Sequence, residues 1–73
     1  MDSILIKLTA IGYQSSTAVQ DFAEPKILLI NPYKIFRIMT NKRGITEVVD
    51  ESGRSVIYVQ ESPEEIYEML NKN

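Results

Sequence analysis

The chain has 73 residues, with no Cys, His or Trp, and a formal net charge of −2 from 8 basic and 10 acidic side chains. One chain of this length makes one domain, and a domain this small buries only about 60% of the surface that its unfolded chain exposes. Disulfides, Cys- or His-ligated zinc, and Ser-His-Asp or Cys-His catalytic centres are excluded because the residues they need are missing.

The first ten residues read as a strand, with Ile4, Ile6 and Leu8 on one face and Leu5, Lys7 and Thr9 on the other. From Gly12 to Pro25 the chain turns polar, which predicts an inserted loop of about a dozen residues. Within it, Val19 and Phe22 are spaced for one short helical turn, or Phe22 plugs the core. Lys26 to Asn31 is the clearest strand, and Asn31-Pro32 ends it, since proline lacks a donor and restricts the residue before it. Ile35 to Met39 resumes an extended pattern. Asn41 to Gly44 is a turn, Ile45 to Val49 a strand, and Asp50 to Gly53 a second turn closing a hairpin onto Ser55 to Gln60. Ser62-Pro63-Glu64-Glu65 then has the form of a capping box with proline at the first helical position. It opens a helix over residues 63–71, with Ile66, Met69 and Leu70 on one face and Glu64 and Glu68 away from it.

These elements make a single α+β domain over residues 1–73: a curved, mainly antiparallel sheet of four to five strands, able to curl towards a barrel, with one C-terminal α-helix. Ile27 to Ile30 and Val56 to Val59 are apolar on both faces. A helix of about nine residues is roughly 13 Å long and covers only part of one sheet face. The expectation is therefore a curled sheet whose remaining apolar surface meets a protein partner or a second copy.

No Gly-rich phosphate loop is present, and Glu61/Glu65 and Glu64/Glu68, at i,i+4 spacing, read as a solvated face that complements the helix dipole. No catalytic residue, metal ligand or cofactor site is expected. The candidate partner-contact residues are Tyr13 and Phe22 in the inserted segment and Tyr33, Lys34, Phe36, Arg37 and Met39 around the third strand. An alternative reads Lys34, Arg37, Lys42 and Arg43, beside Tyr33 and Phe36, as a track for a nucleic-acid backbone. The acidic excess argues against it. The longest apolar runs are far shorter than the roughly 20 residues of a membrane helix, and Met1-Asp2-Ser3-Ile4 lacks the form of a secretory signal. A cytoplasmic location, or one inside a viral particle, is expected.

The C-terminal half carries a familiar pattern: Ile30-Asn31-Pro32, then Ile35 and Ile38, a Thr46-containing strand, the Asp50-to-Gly53 turn, and Val59-Gln60-Glu61-Ser62-Pro63-Glu64-Glu65-Ile66. With the opening Ile6-Lys7-Leu8-Thr9-Ala10-Ile11-Gly12, it resembles the small FlbD-like flagellar motility proteins, and it is also similar to small strand-rich phage proteins. Tyr13 to Glu24 looks like an insertion relative to that family. The resemblance implies a non-enzymatic, protein-binding accessory role in a motility apparatus or a phage particle.

Overall fold

Short polar side chains set the path of the backbone by standing in for the next strand where the chain must reverse. The Asn31 side-chain oxygen accepts from the Tyr33 amide at 3.0 Å, and that of Asn41 accepts from the Arg43 and Ile45 amides at 2.9 and 3.0 Å. Asp50 Oδ1 accepts from the Ser52 amide at 3.1 Å and its hydroxyl at 2.7 Å. Gly44 and Gly53 complete the second and third of these turns at φ values of 81° and 75°, which side chains with a Cβ rarely adopt.

The computed structural model describes residues 5–71; Ile4, expected on the same strand face as Ile6 and Leu8, lies outside them. The elements are β1 (Ile6–Gln14), β2 (Val19–Ile30), a 3-10 turn (Pro32–Lys34), β3 (Ile35–Thr40), β4 (Thr46–Asp50), β5 (Val56–Val59) and α1 (Pro63–Asn71). The five strands form one sheet in the order β2-β1-β5-β4-β3, and every neighbouring pair is antiparallel. This is the α+β architecture expected from the sequence.

The segment expected as a loop, residues 12–25, is largely strand. β1 continues to Gln14 and β2 resumes at Val19, the two joined by a tight turn in which the Ser15 amide donates to Ala18 O at 2.8 Å. Val19 to Phe22 is extended rather than helical, because Val19, Gln20 and Asp21 pair with Gln14, Tyr13 and Gly12. The four residues between Asp21 and Lys26 are accommodated in a large bulge. There Phe22 to Pro25 lie opposite Ile11 alone, between the pairs Gly12↔Asp21 and Ala10↔Lys26. Pro25 is tolerated because β2 is an edge strand.

One face of the sheet carries the core. Ile6, Leu8, Val48 and Val59 meet Ile66 of α1, with Leu8 and Ile66 at 0% exposure. Ile30, Ile35, Ile38, Ile57 and Met69 pack around them. Leu70, expected on the same helix face, is exposed instead. It borders a shallow groove with Ile38, Pro63 and Tyr67, so Ile66 and Met69 are the helix residues that reach the core.

The sheet is curved because β2 and β3 are its two edges yet lie only four residues apart in sequence. Five flat strands span about 19 Å from edge to edge. A 3-10 turn of three residues with two extended steps reaches only about 13 Å. The edges must therefore swing towards each other at this end, and Ile30 and Ile35 pack on the same core. No ladder joins β2 to β3 among the described residues, so the sheet stays open.

α1 is seated by two carboxylates. The capping box forms as expected, with the Glu65 carboxylate accepting from the Ser62 amide at 2.8 Å and Ser62 Oγ accepting from the Glu65 amide at 3.1 Å. Glu61, read from sequence as part of a solvated face, is half-buried and does something else. Where β5 ends, the Gln60 amide donates to Thr9 O at 2.9 Å, and the Glu61 carboxylate takes the place of the next strand residue. It accepts from the Thr9 amide at 2.9 and 3.1 Å and from the Thr9 hydroxyl at 2.9 Å.

Candidate interaction surface

The apolar residues that the sequence left without a place are separated by the sheet order. Val56 to Val59 form the central strand, flanked by β1 and β4, with Val59 buried and the other three half-buried, so that run is largely accommodated within the chain. Ile27 to Ile30 form the end of an edge strand, and theirs is not. Pairing with β1 sets Leu28 and Ile30 on the inner face beside Leu8 and Ile6, and Ile27 and Leu29 on the outer face beside Thr9 and Lys7. Ile27 and Leu29 remain 60% and 65% exposed, and Leu5, just before β1, is exposed too. The inner side opens into a cavity of about 350 Å³ walled by Leu28, Ile30, Ile35, Val48 and Ile57. The strand from Ile27 to Ile30 is thus apolar on its outer and inner faces, and its free edge presents backbone N–H and C=O groups that no neighbouring strand among the described residues pairs.

The polar wall of that cavity is held by the β4–β5 turn. Asp50 is among its lining residues, and the Ser52 hydroxyl at 2.7 Å holds the Asp50 carboxyl below the usual aspartate range. Backbone amides of Ser52, Ser55 and Gly53 act in the same direction and desolvation acts against them. Lys34, also on the wall, pairs with Glu51 at 3.3 Å in an exposed contact of small energetic weight.

The residues expected to contact a partner fall into two groups. Tyr33 lies on the 3-10 turn and is 86% exposed, while Phe36, Arg37 and Met39 are exposed along β3, the opposite edge of the sheet. Phe36 occupies a bulge between the pairs Ile35↔Asp50 and Arg37↔Val49, and the Arg37 guanidinium lies 5.9 Å from its ring centre. Tyr13 and Phe22 are half-buried instead. The Tyr13 hydroxyl is 3.2 Å from Ser55 Oγ, which ties β1 to the start of β5, and Lys26 Nζ sits 4.7 Å over the Phe22 ring within β2, so both make contacts inside the chain. The two groups do not form one patch.

The four cations of the nucleic-acid reading are strung out rather than gathered. Lys34 precedes β3 and is paired with Glu51, whereas Lys42 and Arg43 follow β3, about 20 Å further along an extended strand. Arg37 lies between them on the face that carries Met39, whose cross-strand partner is Glu47. Among the described residues no group of three or more acidic, His or Cys side chains is placed to hold a metal ion, and no helix is long and apolar enough to cross a membrane.

The outer-face residues of β2 were not among the site candidates drawn from sequence, although the two-faced apolar run was the signal for them. Comparison with protein-family models, with curated proteins and with solved structures finds no match for this chain.

Proposed function

We propose that this protein is a non-enzymatic structural or adaptor subunit of a larger macromolecular assembly and acts through protein–protein contacts. The observation that carries this reading is where its apolar surface lies. Among the described residues, the exposed large apolar side chains outnumber the buried apolar ones, and they concentrate on the two open edges of the sheet and the outer side of α1. Ile27 and Leu29 on the β2 edge and Tyr33 and Phe36 at the β3 edge each set a pair of large apolar side chains in water, and exposed apolar surface of this kind marks interaction sites. The resemblance to FlbD-like motility proteins and small phage proteins suggests the assembly: a motility apparatus or a phage particle, in the cytoplasm or within the virion.

The test is affinity purification of the tagged chain from its native host under cross-linking, beside a Tyr33→Ser/Phe36→Ser variant. A defined partner protein should be retained by the parent chain and lost from the variant, with both chains equally folded. A chain that returns no partner protein, or one that is retained equally by the variant, refutes this use of the β3 edge. Retention on DNA or RNA that falls steeply with salt would transfer the reading to Lys34, Arg37, Lys42 and Arg43.

A further inference from the structure

From the free edge of β2 we infer that two copies of this chain pair antiparallel through residues 26–30, about a two-fold axis at Leu28, joining two five-stranded sheets into one of ten strands. The inference rests on the interaction-module reading above and names one of its partners as a second copy.

Natural sheets guard their edges with prolines, charged side chains, above all lysine, bulges or very short strands. β2 carries the bulge at Phe22–Pro25 and Pro25 itself near its middle, and beyond them its only charged residue is Lys26, at the start of the stretch. From Lys26 to Ile30 the pairing with β1 is regular, from Ala10↔Lys26 to Ile6↔Ile30, and no proline or acidic residue intervenes. Pro25 and Pro32 bound this stretch at its two ends.

That stretch is self-complementary. In antiparallel pairing, directly opposed residues share a face, so a two-fold axis perpendicular to the sheet must pass through a residue pair of like orientation. An axis at Leu28 sets Leu28 against its own copy, Ile27 against Leu29 of the second copy, and Lys26 against Ile30. No like charges meet, and the exposed Ile27 and Leu29 of one copy are covered by Leu29 and Ile27 of the other. On the inner face, the apolar wall at Leu28 and Ile30 becomes continuous across the junction. A net charge of −2 per chain sets up little repulsion between copies.

The size of the contact determines its strength. Five residues make a ladder about 17 Å long, and the edge with the side chains of both faces is about 20 Å across. This is roughly 350 Å² per copy, or about 700 Å² in all, which belongs with weak, reversible associations. The pairing is therefore concentration-dependent and is reinforced inside a larger assembly.

The absence of cysteine allows a register-specific test. Opposed Cα atoms in an antiparallel pair are about 4.5–5.5 Å apart, within the range a disulfide spans. Leu28→Cys should give a covalent dimer on mild oxidation, at least about tenfold faster than Val19→Cys, an exposed site on the same strand outside the proposed ladder. In sedimentation velocity the parent chain should shift from monomer towards dimer as concentration rises. Ile27→Lys/Leu29→Lys should remain a monomer with an unchanged circular dichroism spectrum, since both side chains already face water. A parent chain that stays monomeric at its solubility limit, equal cross-linking at positions 19 and 28, or a dimer that survives the double lysine variant would each overturn the inference. Partner capture through Tyr33 and Phe36 by a chain that stays monomeric overturns the self-pairing alone and leaves the adaptor reading standing.

Discussion

Replacing Glu61 by alanine tests how the helix is joined to the sheet. Two hydrogen bonds are lost: the Thr9 amide, shared between the two carboxylate oxygens at 2.9 and 3.1 Å, and the Thr9 hydroxyl at 2.9 Å. Bonds to a charged acceptor contribute about 1.5–3 kcal/mol each. Both groups are only half-buried, so water recovers part of this and about 1 kcal/mol apiece is the working figure, or about 2 kcal/mol for Glu61→Ala. A chain of this size has roughly 4–11 kcal/mol of stability in total. With a urea slope of about 1 kcal/mol/M, the unfolding midpoint should fall by about 2 M. Thr9→Val removes the hydroxyl bond alone and should lower the midpoint by about half as much. In the double-mutant cycle the two changes should couple by about 1 kcal/mol. Urea unfolding followed by circular dichroism reads all four chains. A Glu61→Ala midpoint within about 0.5 M of the parent, or strict additivity with Thr9→Val, would refute the view that this carboxylate replaces a strand partner.

Ile66→Ala removes the one fully buried helix side chain and should cost about 2–5 kcal/mol, lowering Tm by some 10–30 °C in calorimetry. At Gly12 an added Cβ would sit 3.2 Å from Gln20 O and 3.4 Å from both Asp21 Oδ1 and the Tyr58 ring. Gly12→Ala should therefore destabilise by about 1 kcal/mol in urea unfolding, although alanine is intrinsically better than glycine in a strand. Ser52→Ala should raise the Asp50 pKa towards its unfolded value in an NMR carboxyl titration. A depressed native pKa contributes stability that is present above the unfolded pKa and lost as pH falls through the native one, so the variant should lose less stability than the parent over that acid window. Tyr33→Ser/Phe36→Ser should leave the urea midpoint within about 0.5 kcal/mol of the parent, because both rings already face water.

Local features of this chain were legible because their causes are local. Ser62, Pro63 and Glu65 specify the start of α1 whatever lies beneath it, and the helix runs over residues 63–71 as their spacing implied. Asn41 with Gly44, and Asp50 with Gly53, make their turns through hydrogen bonds spanning at most five residues, so the hairpins they close could be read directly. The polar run from Gly12 to Pro25 misled because strand pairing overrode composition: Val19 to Asp21 are held extended by β1, a partner that local pattern does not reveal. Glu61 misled for the same reason, since its acceptor role depends on Thr9, 52 positions away.

Sequence alone determined that this chain is α+β with more apolar surface than a lone helix can cover, because alternation and capping are properties of neighbouring residues. Only the tertiary structure decided which apolar run is satisfied. The strand order places Val56 to Val59 in the middle of the sheet and Ile27 to Ile30 on its rim, and nothing in their similar compositions distinguishes the two. Strand order follows from which long-range pairings bury the most surface together, and that is a property of the whole chain rather than of any segment.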